Sequence, residues 1–200
     1  MVTAVIAGLE AATEDIRREC EVVLAEDRDE FDPYIQYPPG APVNQWHELN
    51  HSRRWSTYFL WQHGQRVDSH LERCPRTAAV LESLPMAYTA NHSPNVVFSA
   101  LEAHTAIPPH NGDTNARLIV HLPLVLPPNC TFRVGNDIRD WQYGKAWVFD
   151  DSVEHEARND SDQLRVQLML DVWNPYLTEA EQDLVGGLLN GLREYYGAEG

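Results

Sequence analysis

Cysteine is scarce and scattered. Cys20, Cys74 and Cys130 are the only three, with no CxxC pair, which argues against a disulfide framework or a zinc ribbon and fits a reducing compartment. Positive charge is scarce too: 15 Lys and Arg stand against 30 Asp and Glu, a net charge of -15. Phosphate contact needs a basic face, so no nucleic-acid partner is expected, and the acidic excess reads as a solvated surface. No apolar run approaches the length of a bilayer span. The start, Met1-Val-Thr-Ala-Val-Ile-Ala7, lacks the basic opening and long apolar core of a signal peptide. No membrane partner is expected, and the expected location is cytoplasmic.

What is present suits a single globular domain over residues 1–200. With 13 prolines against 11 glycines, turns should be frequent, which favours a β-rich body. Residues 4–26 carry Ile6, Leu9, Ile16, Cys20, Val23 and Leu24 at helical spacing, predicting one amphipathic packing helix outside the catalytic core. A proline-rich connector follows over residues 31–43. Residues 55–61 and 95–103 read as strands, and Ala78–Leu84 as a short helix. From Arg117 onwards strands dominate. Thr178-Glu-Ala-Glu181 is a capping-box pattern that opens a closing helix with Leu184, Leu188, Leu192 and Tyr195 on one stripe. The expected fold class is mainly β: a cupin-like jelly roll over 55–178, with N-terminal support over 1–54 and a C-terminal helix over 179–200.

Two strands announce a cleft. In 117–122 the even positions are Leu118, Val120 and Leu122, while the odd ones are Arg117, Ile119 and His121. In 165–173 the apolar set Val166, Leu168, Leu170 and Val172 opposes Arg165, Gln167, Met169 and Asp171. Since strand side chains alternate between faces, one face packs while the other lines an interior. Two histidines about 45 residues apart flank this region, His110 in Pro109-His-Asn-Gly-Asp-Thr-Asn115 and His155 in Phe149-Asp-Asp-Ser-Val-Glu-His-Glu156. Two histidines at strand edges followed by a strand-borne arginine are the parts of a non-haem iron site. Imidazole suits Fe(II), and guanidinium offers a planar fork to the far carboxylate of an oxo-acid.

These motifs resemble the aspartyl/asparaginyl β-hydroxylase domain. The likeness runs from about residue 55 to 178 and rests on Trp61-Gln-His-Gly64, Cys74-Pro-Arg-Thr77, Pro109–Asn115, His121-Leu122, Phe149–Glu156 and Asp171-Val-Trp-Asn-Pro175. It implies a double-stranded β-helix that uses Fe(II), 2-oxoglutarate and O2 to hydroxylate an unactivated carbon. By position, it makes His110 and His155 the iron ligands. Arg165, helped by Ser99, becomes the partner of the distal carboxylate of 2-oxoglutarate, and His121 lies near its chelating end. Arg117 is the candidate substrate-binding residue, against a structural ion pair. Asp150, Asp151 and Glu154 read as turn groups that orient His155, and Trp141 and Trp147 as core. The implied substrate is an aspartyl or asparaginyl side chain, or a related small molecule, peptide or carrier-bound acid.

Two positions bear on this, the first a glycine that the resembling hydroxylases also carry; Asn174, in place of the usual histidine after the Trp, is a milder departure. Gly112 stands two residues after His110, where many iron oxygenases place a carboxylate ligand. The opening it leaves also suits a halogenase. Ile119 stands where the family usually has a basic residue, which puts substrate identity in question more than iron chemistry. A non-catalytic jelly-roll binding module is the alternative outside enzymology.

Overall fold

The computed structural model describes residues 2–196, so the last four positions of the expected C-terminal helix lie outside the described residues. The chain opens with α1 (Val2–Ala11) and α2 (Thr13–Glu26) where periodicity predicts one helix. The break falls at Ala12. Beside it, the buried Thr13 hydroxyl donates to the carbonyls of Leu9 and Glu10, at 3.2 and 3.0 Å, an alternative to regular helical bonding. Both halves still bury one stripe: Val5, Leu9, Ile16, Cys20 and Val23 are fully inaccessible.

There follow β1 (Asp32–Pro33), β2 (Trp55–Gln62), β3 (Gln65–Arg66), α3 (Asp68–Arg73), α4 (Pro75–Glu82), β4 (Val96–Leu101), β5 (Thr105–His110) and β6 (Arg117–Val125). The chain continues through β7 (Cys130–Val134), β8 (Asp137–Asp140), β9 (Trp147–Phe149), β10 (His155–Asn159), β11 (Arg165–Trp173) and α5 (Glu179–Tyr196). The larger sheet has the order β1-β2-β4-β11-β6-β9, with β3 beside β2, and the smaller one β5-β10-β7-β8. Pairing is antiparallel throughout the named strands. From β4 onward the chain alternates between the sheets, with the β7–β8 hairpin as the one local excursion. That winding is a double-stranded β-helix, the jelly roll expected from the sequence.

The alternation read in β6 and β11 decides which face is which. Val120, Leu122 and Leu124 join Val166, Leu168, Leu170 and Val172, with Val96, Phe98 and Ala100 of β4, in the core beneath α1, α2 and α4. The opposite faces of these strands turn towards the smaller sheet. Burying the nine Val, Leu and Phe side chains of this set on one face, at roughly 1.5–3 kcal/mol each, holds the register that presents the polar ones on the other.

Strand β5 has no counterpart in the sequence reading, because Pro108 and Pro109 argue against a strand. It survives because it is an edge strand. Only β10 pairs with it, so the missing proline N–H groups cost no ladder bond on the open side. The helix pattern near the C-terminus is half right. Thr178 and Glu181 form the reciprocal capping box, but the Leu184, Leu188, Leu192 and Tyr195 stripe is 44–82% exposed. It is Val185 that packs on Ala87, Ala116 and Trp173, so α5 docks by its other side. Among the described residues, no helix is long and apolar enough to cross a membrane.

Candidate active site

The polar faces of β6 and β11 and the smaller sheet enclose a cavity of about 290 Å³. His110 ends β5 and His155 begins β10. The antiparallel register sets them directly opposite each other, and the ring centroids lie 4.1 Å apart. Sheet pairing therefore closes the long sequence gap between them. Each Nδ1 bonds a backbone carbonyl two residues earlier, Pro108 at 2.8 Å and Val153 at 2.9 Å. With Nδ1–H donating, Nε2 keeps its lone pair, the form a metal binds. Burial, then the neighbouring His155, pushes His110 down to about 4. Burial also lowers His155. Both rings are neutral at pH 7. Trp46 meets the His110 ring edge-on at 4.8 Å, and Phe149 meets His155 likewise at 5.2 Å.

The carboxylates near His155 do other work than orienting it. Asp150 accepts from the backbone N–H and the hydroxyl of Ser152, Glu154 pairs with Arg133, and Asp151 pairs with Arg117 at 3.4 Å. It is the Val153 carbonyl that holds the imidazole. A carbonyl two residues away is cheaper to position than a side chain with its own rotamers.

Arg165 is 1% exposed, and its Nε, Nη1 and Nη2 have no hydrogen-bond partner among the described residues. Its guanidinium lies 4.7 Å from the centroid of the Trp141 ring. Burial lowers its pKa to about 10, so the group stays charged at neutral pH. An isolated buried charge costs several kcal/mol, and an anion in the cavity would remove that cost. Beside it, Gln167 Nε2 lies 3.2 Å from His121 Nδ1. When Gln167 donates, His121 keeps its proton on Nε2, and that buried atom has no partner. Burial holds His121 well below the usual imidazole range, so it too is neutral.

The other expected site residues are placed differently. Ser99 is fully buried, and its hydroxyl oxygen accepts from Trp55 Nε1–H at 3.0 Å. It sits behind Trp55, outside the ring of residues that lines the cavity. Arg117 lines the cavity, but its guanidinium is held by Asp113 at 2.8 Å, Asp171 at 3.2 Å and Asp151 at 3.4 Å, the ion-pair arrangement. Trp141 is buried as expected, whereas Trp147 is only partly so.

Gly112 donates its N–H to the Asp151 carbonyl at 2.6 Å. A Cβ there would lie 2.1 Å from Asp151 Oδ2. No side chain fits at 112 while Asp151 keeps its place. Among the described residues no group of three His, Cys, Asp or Glu side chains is placed to hold a metal ion, so no third such side chain joins the facing imidazoles there. Gln167, Trp46 and the Asp151 contact were not singled out in the sequence. Gln167 was within reach, since it shares the polar face of β11 with Arg165. Trp46 lies in a single 3-10 turn, Asn44–Trp46, with no periodic signal.

The family description Aspartyl/Asparaginyl beta-hydroxylase matches residues 10–175. The chain belongs to that family. The match takes in α2 as well as the jelly roll, a longer stretch than the motifs alone suggest. The human "Aspartyl/asparaginyl beta-hydroxylase" is 34% identical over 156 residues, 78% of this chain and 20% of that protein. The Rhizobium tropici "Ornithine lipid ester-linked acyl 2-hydroxylase" is 38% identical over 130 residues, 64% of this chain and 44% of that one. The chain thus spans less than half the length of these curated relatives. Among solved structures, the DMSP lyase DddQ from Ruegeria pomeroyi aligns at 14% identity with a TM-score of 0.42, over 70% of this chain and 55% of that one. The fold assignment rests on the strand order above.

Proposed function

We propose that this chain is an Fe(II)- and 2-oxoglutarate-dependent hydroxylase acting on an unactivated carbon of a small-molecule, peptide or carrier-bound substrate. The observation that carries the reading is Arg165, a buried and unpartnered guanidinium sharing one cavity with two neutral, facing histidines. The residues fit the groups. His110 and His155 would hold the iron through Nε2, each ring fixed by its carbonyl. Arg165 would receive the distal carboxylate of 2-oxoglutarate, and His121 Nε2–H would donate to its other end. The bound iron supplies activation of O2, coupled to oxidative decarboxylation of 2-oxoglutarate to succinate.

The protein's own part is positioning and exclusion. The indole of Trp141 supports the Arg165 cation, Gln167 sets the His121 tautomer, and Trp46 and Phe149 close two sides of the histidine pair. Hydroxylation is favoured over halogenation by the Asp151 carboxylate, which fills the space beside Gly112 and would repel a halide there. The relatives named as hydroxylases support the same reaction class.

An anaerobic titration with Fe(II) and 2-oxoglutarate tests this. The weak visible charge-transfer band of the chelate is expected in the parent, absent in His110→Ala and His155→Ala, and shifted to at least tenfold higher 2-oxoglutarate in Arg165→Ala, since a charged hydrogen-bonded pair contributes about 1.5–3 kcal/mol. A folded parent that gives no band sinks the cofactor reading, and the jelly-roll binding module then leads.

A further inference from the structure

The charged groups lining the cavity do not balance. Two guanidiniums, Arg117 and Arg165, face three carboxylates, Asp113, Asp151 and Asp171. Fe(II) and the 2-oxoglutarate dianion cancel each other, so with both bound the two guanidiniums still face three carboxylates, a surplus of one negative charge. Arg117 is already saturated: Nη2 is spent on Asp113, and Nη1 on Asp171 and Asp151. Only its Nε–H is without a partner. A single donor is not the two-pronged fork that clamps a carboxylate. Meanwhile Asp151, 7% exposed, has one buried carboxylate oxygen, Oδ1, with no hydrogen-bond partner among the described residues. That oxygen needs a donor. Asp113 has an exposed side chain, with Oδ1 held by Arg117 and Oδ2 3.4 Å from His92 Nε2, and Ile119 and Ile35 also line the cavity.

We propose that the substrate-facing half of the cavity seats a primary ammonium group of the substrate beside the Asp151 and Asp113 carboxylates that Arg117 bridges. The ammonium satisfies Asp151 Oδ1, offsets the surplus negative charge, and leaves the carbon chain against Ile119. A substrate whose only charge at this end is a carboxylate meets like charges, which cost several kcal/mol at an interface. Asp113 and Asp151 are then the specificity-determining residues, and Arg117 is the counter-ion that holds them in place. The inference rests on reading this cavity as the approach to the two-histidine centre.

The test reads binding without turnover. With Mn(II) and saturating 2-oxoglutarate bound, so that Arg165 is occupied, the protein is titrated with hexylamine, 1-hexanol and hexanoate by ligand-observed NMR. Hexylamine is expected to bind at least about fivefold more tightly than hexanol, with hexanoate weakest, a difference of about 1 kcal/mol. Asp113→Asn, a change at an exposed side chain, is expected to remove most of that advantage. Asp137→Asn, at a remote exposed carboxylate, is expected to leave it intact. Hexylamine that fails to outbind hexanol overturns the proposal. So does an advantage that survives in Asp113→Asn or falls equally in Asp137→Asn, since that is the diffuse pull of an acidic protein. 2-Oxoglutarate binding is titrated first. Its absence would sink the proposed function, and the hexylamine comparison, run without cosubstrate, would still decide this inference.

Discussion

His110 and His155 keep a free Nε2 lone pair because burial makes their charged forms costly, while two carbonyls hold the proton on Nδ1. The same burial has a consequence for stability. With the folded-state pKa of His110 near 4 and an unfolded value near 6.5, the unfolded chain takes up a proton that the folded chain refuses. The metal-free protein therefore has its full His110 contribution above about pH 6.5 and loses it progressively as the pH falls towards 4. His110→Gln should lose less melting temperature than the parent between pH 7 and pH 5. Equal losses would mean the ring is solvated. Gly112 makes a second residue-level case. Gly112→Ala forces Asp151 out of its place, so a loss of about 1–3 kcal/mol is expected in chemical denaturation. Asp151→Gly should recover part of it in the double variant. A free Gly112→Ala would show that the Asp151 carboxylate moves aside without cost.

At the scale of elements, burial separates what looks alike in sequence. Leu9 on α1 and Leu188 on α5 both sit in helical apolar stripes. Leu9 is fully buried and Leu188 is 62% exposed. Leu9→Ala should cost about 2–5 kcal/mol through transfer and cavity terms, and Leu188→Ala no more than about 0.5. Urea denaturation of the two variants checks this, and equal losses would place the Leu188 stripe in a packed interface. Strand β5 carries the parallel lesson for strands. Its two prolines suppress the sequence signal, yet its edge position makes them harmless, and its last residue is His110. The helices α1 and α2 cover the apolar face of the larger sheet, which leaves the other face free to be a cavity.

For the molecule as a whole, charge is the dominant collective property. A surplus of 15 acidic groups repels itself in the compact state. Raising NaCl from about 20 to about 200 mM shortens the Debye length from roughly 20 Å to under 10 Å, and the melting temperature should rise. A fall would mean that the many exposed ion pairs outweigh the net repulsion.

The amino-acid order alone determined the period-two faces of β6 and β11, the two histidine motifs and Arg165 that line the cavity, and the family, because strand alternation and short motifs are local properties. Packing decided the rest. It broke the first helix at Ala12, turned the α5 stripe outward, and admitted Pro108 and Pro109 to an edge strand. It tied Arg117 to three carboxylates, set Ser99 behind Trp55, and brought Gln167 to His121. Apart from the helix break, where Thr13 bonds its own preceding turn, and the Arg117–Asp113 pair four residues apart, those outcomes depend on which groups meet across elements far apart in the chain, and no short window of sequence contains both partners.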